Sequence, residues 1–307
     1  MRFSRKGIGG SNPLVSAQKI IFKEWMDKTK PGEVMLGKIA ESPRVLRDIS
    51  ANLQSEKIAP NLFKTPQFNS VVILARGSSN NAGHFLKYLI EIKMELPCAQ
   101  ASPSATTMSP TKFCFEKTLV IAISQSGQSE DLLAFARAAK KGGAFFLAVI
   151  NKEDSSLAKL SDVHHPIFAG RELAVPATKS YVGQLMVSYL LVMQWIHETP
   201  QSEDIAARAE RLVAQDKEIN DFADKINIQN PIYILRRGFS YPNAKEFALK
   251  IQETCLIPIQ GMSTSDFLHG AIASLSTESQ VISPQHLPQD LFGEAPDRVH
   301  TVTNRVF

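Results

Sequence analysis

The sequence predicts an α/β protein of doubly wound, parallel, flavodoxin-like sheets. Short runs that are apolar throughout, such as Val71–Ala75 and Leu119–Ile123, alternate with amphipathic stretches, as a sheet covered on both faces requires. The same rhythm restarts near Ile232. Laying residue n on n+161 then matches Ile73 with Ile234, Arg76 with Arg237, Gly77 with Gly238 and Pro97 with Pro258 without a gap, which predicts an internal duplication. The bulk properties agree with a globular chain of about two domains: 307 residues, 44% hydrophobic and 21% charged, with mean hydropathy −0.09.

The elements follow in order. Residues 1–34 read as a Gly-, Ser- and Lys-containing leader with one helix over Val15–Asp27; GIGG at Gly7–Gly10 has no strand before it and is not a nucleotide loop. Val34–Leu53 reads as helices broken near Pro43. The first domain, 35–200, then runs strand Val71–Ala75, helix Asn80–Met94, strand Pro97–Ala101, strand Leu119–Ile123 and helix Ser129–Lys141. Strand Phe145–Ile150, helix Ser155–Leu160, strand His164–Phe168 and the long helix Pro176–His197 complete it. A charged helix, Ile205–Phe222, fills the link 201–230. The second domain, 231–307, opens with strand Ile232–Leu235. It is about 50 residues shorter than the first copy, counted as Val71–His197, and ends in the polar, Pro-rich Pro284–Phe307, so it is expected to be truncated at its C-terminus.

Composition excludes several functions. No apolar run approaches the ~18 residues of a membrane span, and Met1–Asn12, basic and glycine-rich with no apolar stretch behind it, is not expected to be a secretory signal. Cys98, Cys114 and Cys255 are far apart with no CxxC, which fits neither a disulfide framework nor a zinc site and predicts a cytoplasmic protein. The net charge of +4 is spread along the chain rather than gathered into a basic stripe, so neither nucleic acid nor membrane is an expected partner; an anionic small molecule is.

The strongest motif is Ser124-Gln125-Ser126-Gly127-Gln128-Ser129 between a strand and a helix. Its hydroxyls, a glycine that lets backbone N–H groups approach, and a positive helix terminus suit phosphate. There is no Lys of the nucleotide P-loop type, so no Mg²⁺ is implied; ordinary helix capping by Ser126 or Ser129 is the competing reading. Gly77, Ser78 and Ser79 form a second hydroxyl-bearing turn after the first strand, and carboxyl ends of neighbouring strands face one pocket. Glu246, Lys250 and Glu253 lie at i, i+4 and i+7 on one helical face, either an acid/base pair or a solvated ladder of ion pairs. His269 stands alone among apolar neighbours, and His164-His165 has no metal-ligand spacing. No metal and no cofactor are expected.

At this point the residues match a family. Arg76–Ser79, Ser124–Ser129 and Glu172–Lys179, followed by Arg237-Gly238, Tyr241-Pro242, Glu246–Glu253 and Phe267–Gly270, resemble the sugar isomerase (SIS) domain family. The likeness is to the tandem arrangement of the isomerase half of glucosamine-6-phosphate synthase, over about Met35–Leu275. The resemblance implies a phosphate site at Ser79, Ser124, Gln125, Ser126 and Ser129, with Val175 and Ala177 lining the sugar. It implies Glu253 as the base that moves a proton between C1 and C2, assisted by Lys250, and His269 as the ring opener, supplied across a homodimer.

The departures steer the expectation further. Without a glutaminase half, the resemblance points to deamination of an amino sugar phosphate, as in SIS-type glucosamine-6-phosphate deaminases, yielding fructose 6-phosphate and ammonia. Another aldose–ketose isomerase, a deglycase, or a non-catalytic sugar-phosphate sensor are the alternatives. Ala177 stands where the synthase has a serine, and no match to the family's C-terminal lysine follows Gly270.

Overall fold

The computed structural model describes residues 32–55, 68–109, 112–173, 176–200, 203–283 and 300–302. Two helices lead: α1 (Glu33–Ala40) and α2 (Ser42–Ser55). The break falls at Glu41, one residue before α2, so that Pro43 sits in the first turn of α2, where its missing N–H is not needed. The helix expected over Val15–Asp27 lies outside the described residues.

The first sheet contains β1 (Ser70–Leu74), β2 (Cys98–Gln100), β3 (Thr118–Ser124), β4 (Phe145–Ile150) and β5 (Val163–Pro166). Its order is β2-β1-β3-β4-β5, with every pairing parallel. The crossovers carry α3 (Gly77–Lys93), a short α4 (Ala105–Met108), α5 (Glu130–Lys141) and α6 (Ser156–Leu160); α7 (Lys179–Trp195) follows β5.

Alternate residues of each strand enter opposite cores. Leu119, Ile121, Ile123, Leu147 and Val149 pack with α2, α3 and α7, while Val120, Ala122, Phe146 and Ile150 pack with α5 and α6. All nine are 0% exposed, and each large side chain among them contributes about 1.5–3 kcal/mol of burial. Central strands buried on both faces explain why their sequence is apolar without alternation.

The expected linking helix is two helices, α8 (Glu203–Val213) and α9 (Asp216–Ala223), parted at Gln215. A second, smaller parallel sheet follows, with β6 (Ile232–Arg236), β7 (Gln260–Ser263), β8 (Gln280–Ile282) and β9 (His300–Val302) in the order β7-β6-β8-β9. Its helices are α10 (Tyr241–Cys255) and α11 (Thr264–Leu268). β9 lies within Pro284–Phe307, for which the sequence reading named no element. Ile232, Ile234 and Ile282 pack on α10, and Leu235 and Val281 pack on Phe267 from the other side. At two positions 161 residues apart the backbone is alike: Gly77 and Gly238 take φ of +54° and +59°, after Arg76 and Arg237 in extended conformations.

Candidate active site

In the order β2-β1-β3, the chain leaves β1 and β3 to opposite sides, and the crevice above their carboxyl ends is where such sheets hold ligands. Three segments line this crevice: the loop after β3, the start of α3, and one face of α10.

The β3 loop is built by its own hydroxyls. Ser124 Oγ accepts from Gly127 N at 3.0 Å, and Ser126 Oγ accepts from Gln128 N at 3.4 Å. Gly127 has φ +62°, and a Cβ there would stand 2.3 Å from Ser155 Oγ, so only glycine fits. The loop is also tied to α6, since Leu157 N donates to Gly127 O and Ser156 Oγ donates to Gln128 Oε1. Ser129 occupies the N-cap position of α5, yet its side chain makes no capping bond, and neither does that of Ser126. Simple capping therefore does not account for these hydroxyls. They stand beside a helix N-terminus whose first amides and positive dipole suit an anion.

The second hydroxyl-bearing segment is not a free turn: α3 already begins at Gly77, so Ser78 and Ser79 lie in its first helical turn. Ser79 is buried and accepts from Gln184 Nε2 at 2.9 Å. Ser78 accepts from Lys250 Nζ at 3.0 Å. An ion pair between Arg76 and Asp131 joins the start of α3 to the start of α5, which fixes the two hydroxyl segments relative to each other.

Lys250 is the hub on α10. Besides Ser78, its ammonium reaches Glu253 Oε2 at 2.7 Å and lies 3.2 Å from Glu246 Oε1. The competing reading of a solvated ladder is corrected here. The side chains of Glu246 and Lys250 are only 7% and 14% exposed, and Glu253, at 34%, is the most open of the three. Glu246 is buried because α10 packs on α3, where Asn81 Nδ2 donates to Glu246 Oε2 at 2.8 Å. Nearby, Lys245 Nζ sits 3.0 Å from His84 Nε2, and the Tyr181 hydroxyl donates to Asn243 Oδ1 at 2.9 Å. Burial, then the charges of Lys245 and Lys87, push His84 down to about 4, so it faces Lys245 as a neutral ring.

The segment before α7 has a role that spacing did not reveal. Glu172 Oε2 accepts from Thr178 N, Ser180 N and Ser180 Oγ, and thereby caps α7. Lys179, 2% exposed, pairs with Glu41 at 2.5 Å, and the hydrogen bonds from Lys179 and Lys38 hold the Glu41 carboxyl down to about 2. Ala177 is half-buried just ahead of this helix; Val175 lies outside the described residues.

The structure thus brings Ser78, Lys250 and Glu253 into contact at the crevice, with Ser124, Gln125, Ser126 and Ser129 on the adjoining strand end. It does not bring His269 to them. His269 is exposed at the end of α11, and among the described residues its side chain contacts none of these groups. Asn81, Gln184 and Glu41 were missed by the sequence reading, and Glu172 was seen only as part of the Glu172–Lys179 motif, because each acts on partners that no local pattern links to it, as far as 165 positions away. Among the described residues no three His, Cys, Asp or Glu side chains are grouped as a metal site would need, and no helix is long and apolar enough to cross a membrane.

The chain is similar to known proteins in sequence and in fold. The SIS domain family matches residues 67–194. The glutamine–fructose-6-phosphate aminotransferase (isomerizing) of Clostridium tetani is 29% identical over 290 residues, 88% of this chain and 47% of that protein. Its namesake from Aquifex aeolicus is 31% identical over 274 residues, 88% of this chain and 44% of that protein. This chain therefore spans less than half the length of the curated relatives it matches. Among solved structures, the C-terminal domain of glucosamine-fructose-6-phosphate aminotransferase from Francisella tularensis superposes with a TM-score of 0.68 at 25% identity, over 86% of this chain and 78% of that one. In fold and sequence, residues 67–194 of this chain are similar to the SIS domain family.

Proposed function

We propose that this chain is an enzyme of sugar-phosphate isomerisation that takes a phosphorylated amino sugar and one water to fructose 6-phosphate and ammonia. The observation that carries the reading is the bridge from Ser78 through Lys250 to Glu253, which sets a carboxylate beside a phosphate-type crevice. Ser79, Ser124, Gln125, Ser126 and Ser129 hold the phosphate, with Gly77 letting the chain turn into α3 and Ala177 and Val175 flanking the sugar. Glu253, the most open carboxylate of the cluster, moves the proton between C1 and C2, and Lys250 balances charge as the enediol forms. His269 opens the ring; since the structure leaves it apart from Glu253, it acts from a second copy of the chain in a homodimer. The second sheet, whose order matches the first four strands of the first sheet, is read as a second, shorter SIS domain that contributes the base.

The names of the relatives, aminotransferases described as isomerizing, support chemistry that joins an amino group to the C1–C2 rearrangement of a ketose phosphate. The test is ammonia release from glucosamine 6-phosphate with matching formation of fructose 6-phosphate. Stoichiometric appearance of both is expected. Isomerisation of aldose phosphates without ammonia would replace the amino sugar by a plain aldose, and no turnover of any hexose or hexosamine phosphate would refute the enzyme reading.

A further inference from the structure

Glu246 and Asn81 are not used by the reaction just described, yet they hold its hub. Glu246 is 6% exposed, and a carboxylate taken out of water costs several kcal/mol unless it is paired. Among the described residues two groups compensate it. Asn81, itself 5% exposed and on the first sheet's helix α3, donates to Oε2 at 2.8 Å. Lys250 stands 3.2 Å from Oε1, an ion pair without the alignment of a hydrogen bond. The buried carboxylate thus confines the Lys250 ammonium, whose other contacts are Ser78 Oγ and Glu253 Oε2. A lysine drawn from three directions has lost the freedom of its four-carbon stem, and so has the carboxylate it grips. The remaining Glu253 oxygen, Oε1, is left for chemistry.

We propose that Asn81 and Glu246 are a positioning pair: a buried hydrogen bond between α3 and α10 that, through Lys250, fixes Glu253 over the crevice of the first sheet. This rests on the proposed function for what Glu253 does there, but the positional claim stands on the contacts alone. Because Asn81 belongs to the sheet that holds the phosphate loop and Glu246 to the helix that carries the base, the pair sets the distance between binding and chemistry. A misplacement of about 1 Å at a reacting group lowers turnover by about 10²-fold while leaving distant binding contacts intact.

Two measurements test it. The first needs no turnover: amine acylation with a small N-hydroxysuccinimide ester, followed by mass spectrometry of the peptide containing Lys250. In the wild-type chain Lys250 should label at least ~10-fold more slowly than exposed lysines such as Lys152, and Asn81→Ala should raise its rate severalfold. Equal labelling of Lys250 and Lys152 in the wild type overturns the proposal, whatever the enzyme catalyses. The second is kinetic. Asn81→Ala should lower kcat ~10–100-fold with KM and inorganic-phosphate affinity within about threefold. Asn81→Asp, which sets two carboxylates against each other, should lower it further, and Asn81→Asp combined with Glu246→Gln, which restores a donor facing an acceptor, should recover most of the loss. A purely structural pair would lower thermal stability and phosphate affinity in step with kcat and show no such recovery, and that result overturns the proposal. Slow labelling of Lys250 with no turnover in the wild type would refute the proposed function and leave the positioning pair standing.

Discussion

Gly127 and Gly77 share nearly the same left-handed backbone, with φ of +62° and +54°, but differ in what surrounds them, and alanine at each position separates the two effects. At Gly77 a Cβ would meet nothing within 4 Å, so Gly77→Ala bears only the left-handed penalty of about 1–2 kcal/mol. At Gly127 the same Cβ would lie 2.3 Å from Ser155 Oγ, 2.6 Å from Ser155 Cβ and 2.7 Å from Ile150 Cδ1. Ser155 is short and fully buried, and its Oγ accepts from Ala158 N at the start of α6, so moving aside breaks that cap. Overpacking of this kind and a lost cap raise the total for Gly127→Ala to about 3–5 kcal/mol. In urea, with a slope of about 2–3 kcal/mol per molar, the midpoint should drop by more than ~1 M for Gly127→Ala and by less than ~1 M for Gly77→Ala. Phosphate affinity should fall with Gly127→Ala even in the fraction that stays folded. Equal midpoints for the two variants would refute the packing argument, and would mean that the β3 loop is not held against α6 as described.

Ser126→Ala removes an exposed hydroxyl whose internal bond, at 3.4 Å, is weak, so stability should be unchanged while affinity for inorganic phosphate drops by about 1–3 kcal/mol in titration calorimetry. Stability should also fall with acid in two stages. Burial holds His165 and His84 down to about 4 against an ordinary 6.5, so the unfolded chain takes up protons first and stability declines as pH falls from 6.5 towards 4. The slope is at most about 1.4 kcal/mol per pH unit for His165 and smaller for the half-exposed His84. Glu41 acts in a lower window: its contribution is complete above 4.5 and disappears as pH falls through about 2. Urea midpoints for His165→Gln should lose the first decline in part; an unchanged profile would contradict the burial argument.

Much of the first sheet was legible because its strands are buried on both faces and therefore read as unbroken apolar runs, Leu119–Ile123 above all. The placement of Ser124–Ser129 between a strand and a helix was legible too, because hydroxyls and a glycine at such a junction are a local pattern. What depends on distant partners was not. Helical spacing placed Glu246, Lys250 and Glu253 on one face but gave no sign that this face meets Ser78 and Asn81, so spacing alone favoured a solvated ladder over a partly buried cluster. Glu172 entered only as the first residue of the Glu172–Lys179 motif, because its cap on α7 closes across six and eight positions and follows no capping spacing. The split at Gln215 and the three-residue β9 were missed because one shows no helix breaker and the other is too short for a period.

The central claim is proton transfer at Glu253 on a phosphorylated sugar, and exchange in heavy water observes that step directly. Wild-type protein incubated with fructose 6-phosphate in D₂O should replace a carbon-bound C1 proton by deuterium, followed by proton NMR. Glu253→Gln should slow that exchange by about 10²–10⁴-fold while inorganic phosphate still binds with wild-type affinity. Exchange at the wild-type rate in Glu253→Gln, or no exchange in the wild type despite bound fructose 6-phosphate, would contradict the account.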